Sequence, residues 1–172
     1  QTCMAPRRAL VEEGAYARFL DALRPLVAAA KPVRLADAGM ADRCVELVQG
    51  AMQSGGSSVG GVVEQAERGV MRPLCVAGCA RDAQLVAGDH FGPVLAVLPV
   101  ANMADALAVH RDGGQHLATS VYTAQPDRVL GDPSLVAALG SNLVTINDTV
   151  LPTAHPGISI EGRGPSGWGA SR

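Results

Sequence analysis

The third residue of the chain is a cysteine, in the run Gln1-Thr2-Cys3-Met4-Ala5-Pro6. A thiolate attacks carbonyl carbon readily when it is partly exposed and its proton is easily lost. A lone cysteine is more often a small buried hydrophobe, so the run raises acyl chemistry without establishing it. A second group, Asp89-His90-Phe91-Gly92-Pro93-Val94, stands just ahead of an apolar run. Ligands of open parallel sheets gather at strand ends and the adjoining loops. The Asp89 carboxylate there suits acceptance of hydrogen bonds from sugar hydroxyls, or is simply the acid of a turn fixed by Gly-Pro. Asn147-Asp148 closes another apolar run. An asparagine at that point orients a ligand or caps the turn with its own side chain. Gly162, Gly164, Gly167 and Gly169 let backbone approach another group closely, or form a flexible tail.

Cys75-Val76-Ala77-Gly78-Cys79 has a spacing that zinc accepts, but a zinc site needs four ligands. No second cysteine pair or spaced histidine pair accompanies it, and His90, His110, His116 and His155 are scattered, so no metal is expected. No disulfide is expected between Cys75 and Cys79 either, and Cys44 falls on an apolar helical stripe that makes it core. The phosphate-binding motif G-x-x-x-x-G-K-S/T is absent, and the spacing G-x-G-x-x-G occurs only from Gly162 to Gly167, where no strand is expected ahead of it.

The elements that must position these residues alternate in type. Arg7 to Val11 reads as a short strand, and Tyr16, Phe19, Leu20, Leu23 and Val27 recur at helical spacing, with Pro25 expected to kink or end that helix. Met40, Cys44, Leu47, Val48 and Ala51 make a second helical stripe that Gly55 and Gly56 stop. Ser54 to Gly61 reads as a loop, and Val62 to Val70 as a loop or short edge strand. Leu74 to Val76 is a short strand, and Val94 to Val100 is a nearly continuous apolar run, as in a strand buried on both faces. Asn102 caps a helix with Ala104, Leu107 and Ala108 on one face, and Leu117 to Thr123 is the next strand. Asp132, Pro133 and Gly140 bracket a short helix, Leu143 to Ile146 is a strand, and the chain beyond Asn147 reads as loop. This alternation predicts an α/β fold, a mostly parallel sheet flanked by helices.

The 172 residues are 48% hydrophobic and 17% charged, enough for one domain with a proper core and too apolar for a disordered chain. A net charge of −2 argues against general nucleic-acid binding, and no apolar run is long enough for a membrane helix. Aromatics are scarce, so the core must come from Val, Leu and Ala. The first residue is Gln1 with no leader ahead of it, which suggests that the chain begins within a longer protein. The four unpaired-looking cysteines suggest a reducing, cytoplasmic setting.

Taken in order, these motifs resemble those of the aldehyde dehydrogenase superfamily. Gln1-Thr2-Cys3 is similar to the end of the family's G-Q-x-C nucleophile motif, and Asp89 to Val94 resembles its E-x-F-G-P-V. Leu117-Ala118-Thr119-Ser120-Val121-Tyr122-Thr123 resembles L-x-A-S-V-F-T, Ile146-Asn147 matches the strand-ending I/V-N, and Ser166-Gly167-Trp168-Gly169 matches S-G-x-G. The intervals fit over essentially all 172 residues. The departures are Asp89 for the family's Glu, His110 for a common Asn, and Ser159-Ile160-Glu161-Gly162 for P-F-G-G.

The resemblance implies the family's catalytic-domain fold, with residues 1–172 as the nucleophile-bearing portion. The nucleotide-binding domain, the general base and a C-terminal oligomerisation strand lie outside it. It implies NAD- or NADP-dependent oxidation of an aldehyde to an acid through a cysteine thiohemiacetal and thioester. Cys3 is the implied nucleophile, Asp89 holds the nicotinamide ribose on the same side of the sheet as Cys3, and Phe91 packs near the nicotinamide. Asn147 and the loop to Ile160 line the aldehyde entrance. The implied partner is a small aldehyde, in a parent protein that is a homo-oligomer, with the isolated chain incomplete and inactive. Two alternatives use the same elements: a CoA-acylating relative, and a non-catalytic domain kept for assembly, which the Asp89 and Glu161 departures would suit.

Overall fold

The computed structural model describes residues 2–63, 65–113, 116–149, 155–162 and 164–170. Their contacts divide them into two compact units, one made of Thr2 and residues 6–109, the other of residues 3–5 and the chain from His110 onward. The boundary falls inside a helix, which is why no linker composition marks it in the sequence.

The first unit runs β1 (Arg8–Glu12), α1 (Glu13–Ala29), β2 (Val33–Arg34), α2 (Ala38–Gln53), β3 (Ser57–Val59), β4 (Gln65–Glu67) and β5 (Val70–Met71). It continues through β6 (Leu74–Ala77), α3 (Gln84–Ala87), β7 (Val94–Val100) and most of α4 (Met103–Asp112). Its main sheet has the strand order β1-β7-β6-β3. β7 pairs in parallel with both β1 and β6, and only the edge strand β3 is antiparallel. A smaller antiparallel sheet orders β2-β5-β4.

Alternation along β7 sorts its side chains to two cores. Val94, Ala96, Leu98 and Val100 pack with Ala41, Cys44, Val48 and Ala51 of α2 and with Leu85 and Val86 of α3. Val97 and Leu95 face the other way, against Tyr16, Leu20, Leu23 and Val27 of α1. The Tyr16 hydroxyl donates to the Val97 carbonyl at 3.2 Å, which fixes α1 against the strand. Pro99 is tolerated in this central strand for a geometric reason. Ala96 N–H donates toward β1, to the Arg7 carbonyl, whereas the Val97 carbonyl accepts on the β6 side, from Gly78. By the same alternation the missing N–H of Pro99 points to the β6 side, where β6 has already ended.

The second unit holds β8 (Ala118–Val121), α5 (Pro126–Leu130), α6 (Pro133–Leu139) and β9 (Leu143–Ile146), followed by β10 (Glu161–Gly162) and β11 (Gly169–Ala170). β8 and β9 are parallel, from Ala118 beside Leu143 to Val121 beside Ile146, with α5 and α6 as their crossover. Asp132 caps α6 by accepting from the Ser134 and Leu135 N–H groups, and Gly140 ends it in the left-handed conformation, φ 60°. The fold is therefore the expected α/β arrangement with mostly parallel strands and flanking helices.

Several expectations need correction. Pro25 does not end α1, which runs to Ala29. Its missing hydrogen bond would have gone to the Asp21 carbonyl, and both residues lie on the exposed face, where water can replace it. Ser54 to Gly61 is not all loop: Ser57–Val59 pair along the free edge of β6 and bury Val59. The tail is not all loop either, because β10 and β11 form an antiparallel pair. β7 and β8 do not neighbour one another in a single sheet; they belong to separate ones. Within the described residues, no helix is long and apolar enough to cross a membrane.

The two-faced burial of β7 sets the first prediction. Leu98→Ala, at a side chain only 1% exposed, is expected to cost about 2–5 kcal/mol, whereas Leu26→Ala, at 69% exposure, should stay within about 0.5 kcal/mol. Chemical denaturation of the two variants checks the contrast, and equal losses would contradict the packing.

Candidate active site

The Asp89–Pro93 loop is anchored in the first unit at each end and in the middle. Where it enters β7, the Pro93 carbonyl accepts from Leu74 N–H at 2.9 Å, extending the β6–β7 ladder by one step. Asp89 makes an ion pair with Arg7, between Oδ1 and Nη1, and both side chains are partly exposed. Arg7 is itself held by its backbone, since its carbonyl accepts from Ala96 at 2.9 Å just before β1 begins. Phe91 is half-exposed, at 49%.

Gly92 has no room for a side chain. A Cβ there would lie 2.0 Å from the Cys44 sulfur, which sits on the buried face of α2. The glycine of this loop and the core cysteine are therefore one packing unit. His90 is buried within reach of the Arg7 charge, only 5% exposed, and neither ring nitrogen has a hydrogen bond of good geometry. Burial first, and then the Arg7 charge, hold His90 down to about 4, against a small opposing pull from the Gly92 backbone. The ring is neutral at physiological pH and adds no charge of its own beside the Arg7–Asp89 pair.

The second unit contains Cys3, Asn147 and Ile160. The Cys3 thiol is exposed, whereas Cys44, Cys75 and Cys79 are buried, and all four are free. Burial pushes the Cys75 thiol up to about 11 and raises those of Cys44 and Cys79 as well. Such thiols stay protonated at neutral pH and make poor nucleophiles. Cys75 and Cys79 also point into opposite cores, Cys75 toward α1 and Cys79 toward α2, with the Cys79 thiol donating to the Val76 carbonyl at 3.5 Å. Among the described residues, no cluster of three or more His, Cys, Asp and Glu side chains could hold a metal ion.

Asn147 follows β9 and has a positive φ of 55°, a conformation asparagine tolerates better than most residues. Its Oδ1 accepts from Thr123 N–H at 2.8 Å and its Nδ2 donates to the Thr123 carbonyl at 2.9 Å. The amide thus clamps the ends of β8 and β9 together and aims the chain that follows. Of the stretch from Asn147 to Ile160, residues 150–154 lie outside the described residues. Ile160 is half-buried just before β10, where Gly162 passes so close to Gly167 that a Cβ would fall 2.6 Å from its carbonyl carbon. The departure at His110 has a structural use: its Nε2 donates to the Leu139 carbonyl at 2.6 Å, joining the end of α4 to the end of α6.

The geometry thus groups Asp89 with Phe91 in one unit, and Cys3 with Asn147 and Ile160 in the other. Arg7, His90 and the Cys44–Gly92 contact escaped the sequence, because each depends on a partner tens of residues away.

The chain belongs to the aldehyde dehydrogenase family, whose family model matches residues 1–172. It is 30% identical over 181 residues to a probable coniferyl aldehyde dehydrogenase of Pseudomonas aeruginosa, covering 98% of this chain and 36% of that protein. It is 24% identical to 4,4'-diapolycopene-4,4'-dial dehydrogenase of Cytobacillus firmus, covering 99% of this chain and 38% of the relative. The chain therefore spans less than two-fifths of the length of these relatives. Its fold is similar to that of an NADP-dependent glyceraldehyde-3-phosphate dehydrogenase from Bacillus halodurans complexed with NADP, with a TM-score of 0.88 and 19% identity. That match covers 98% of this chain and 36% of that one. It is also similar to a succinic semialdehyde dehydrogenase from Streptococcus pyogenes in complex with NADP+, with a TM-score of 0.85, 20% identity, and 99% and 39% coverage.

Two predictions follow from the loop. Gly92→Ala should cost about 1–3 kcal/mol, and Cys44→Ala should recover part of that loss when combined with it. Strict additivity in denaturation midpoints would mean that the two residues do not share the space. His90 gives a pH dependence. Its folded value of about 4 lies below the ordinary 6.5, so between these values the unfolded chain takes up a proton that the folded chain refuses. Stability is therefore complete above about 6.5 and falls as the pH drops toward 4, by roughly 3 kcal/mol in all. His90→Phe should flatten this slope relative to the parent, and an unchanged slope would show that His90 does not carry it.

Proposed function

We propose that the protein carrying this chain oxidises an aldehyde to a carboxylic acid with NAD or NADP, and that this chain supplies the nucleophile. The observation that carries the proposal is the exposed Cys3 thiol, in the run Gln1-Thr2-Cys3 that resembles the end of the family's nucleophile motif, in a chain whose other three thiols are buried. Cys3 as thiolate adds to the aldehyde carbon, and the oxygen takes up the charge and then a proton, giving a thiohemiacetal. The backbone N–H of Cys3 is an oxyanion donor in this scheme. Loss of hydride from that carbon, with the hydroxyl proton, leaves a thioester on Cys3. Water then adds to the thioester and expels the thiol, releasing the acid.

Residues of the Asp89–Pro93 loop fit a nicotinamide nucleotide in kind: a partly exposed carboxylate that accepts hydrogen bonds from hydroxyls, and a half-exposed aromatic face at Phe91. The bound nucleotide supplies the hydride acceptor. Asp89 would hold the nicotinamide ribose and Phe91 would pack near the nicotinamide. Asn147, whose amide is committed to Thr123, would contribute by directing the segment toward Ile160 that lines the aldehyde entrance. The probable coniferyl aldehyde and diapolycopene-dial dehydrogenases among the relatives, and the NADP-bound structures, support aldehyde and nicotinamide nucleotide as the ligand classes.

Transition-state stabilisation requires the nucleophile, the nucleotide site and the base that frees the product together. Steady-state aldehyde oxidation with NAD+ and NADP+ should be absent for the 172-residue chain alone and present in the full-length protein. Cys3→Ala in the full-length protein should lower turnover by about a thousandfold or more. Robust turnover by the isolated chain, or full activity of the Cys3→Ala protein, would contradict the proposal.

A further inference from the structure

We propose that Arg7 is a positioning residue for the cofactor site: it fixes one carboxylate oxygen of Asp89 and leaves the other to the ribose hydroxyls. The proposal rests on the ribose role of Asp89 given above. The ion pair joins Arg7 Nη1 to Asp89 Oδ1, and the partial exposure of the Asp89 side chain leaves the carboxylate open to a ligand. The cation is a fixed reference point. Arg7 immediately precedes β1, and its carbonyl is bonded to Ala96 in the central strand. The acid is tied to the same strand from the other end, through Pro93 and the ladder to Leu74. Both partners are thus positioned by β7, and the pair closes the loop between them.

A loop carboxylate without a partner populates several rotamers, and holding one of them is a cost that a ligand otherwise bears on binding. Asp89 is one methylene shorter than the family's glutamate, so it has fewer torsions to fix, and one directed cation suffices. His90, buried next to Asp89 and neutral, adds no second positive charge that would draw the carboxylate away.

The test is a double-mutant cycle read by the dissociation constant of the nucleotide. NAD+ and NADP+ are titrated, by calorimetry and without aldehyde, into the full-length protein and its Arg7→Gln, Arg7→Lys, Asp89→Asn and doubly substituted Arg7→Gln/Asp89→Asn forms. The thermal midpoint is recorded for each. Arg7→Gln should weaken nucleotide binding roughly threefold to fivefold, the effect of a partly exposed ion pair. Arg7→Lys should restore most of the loss, and the double variant should bind no more weakly than Asp89→Asn alone. If Arg7→Gln destabilises the protein at the assay temperature, Arg7→Met, which keeps the apolar stem, takes its place in the cycle. Unchanged binding by Arg7→Gln beside weakened binding by Asp89→Asn would overturn the role of Arg7 and leave the ribose reading standing. Additive losses would overturn it in the same way. Unchanged binding by Asp89→Asn would overturn both.

Discussion

Among the described residues of the first unit, β7 is the one strand hydrogen-bonded in parallel on both edges and packed by apolar side chains on both faces. Such a strand can be satisfied in one register only. Shifting it by one residue would turn Ala96 and Leu98 toward α1 and Val97 toward α2, and would misalign both ladders. Every chemically interesting group of this unit takes its position from that register. Arg7 is bonded to Ala96, Pro93 hands the chain into the strand beside Leu74, and the loop between Asp89 and Pro93 has to close the remaining gap.

The loop closes by using up its own freedom. Gly92 gives its side-chain volume to the Cys44 sulfur, His90 fills a buried space, and Asp89 meets Arg7. Toward solvent the loop keeps the half-exposed Phe91 ring and the partly exposed Asp89 side chain. The cysteines divide in a complementary way. Three are absorbed into cores or helix–strand packing, where burial suppresses their thiolates, and the fourth is left exposed. In the second unit the same economy appears at Asn147, whose amide is consumed in joining the end of β8 to the end of β9.

Much of this was legible in the sequence because it depends on neighbours in the chain. The unbroken apolar run from Val94 to Val100 announces a two-faced strand, and Asp132, Pro133 and Gly140 announce both ends of α6. The five motifs in register announce the family, which the match over residues 1–172 bears out. What could not be read depends on distant partners. Ser57–Val59 become a strand only because β6 offers a free edge, and the one-turn α3 is too short to show a period. β10 and β11 are two residues each and arise from a close passage of Gly162 by Gly167. The Arg7–Asp89 pair spans most of the first unit in sequence, and nothing local distinguishes Arg7 from the adjacent Arg8.

The central claim is that Cys3 forms the covalent bond to substrate carbon. It is tested most directly by trapping the acyl form. The full-length protein is mixed with an aldehyde and NAD+ or NADP+, quenched in acid before hydrolysis, digested, and analysed by peptide mass spectrometry. Oxidation at the carbon leaves the substrate attached as a thioester, so the Cys3 peptide should gain the mass of the aldehyde less two hydrogens, and only when the nucleotide is present. The same gain on a peptide carrying Cys44, Cys75 or Cys79, or no covalent gain anywhere while acid is being produced, would contradict it.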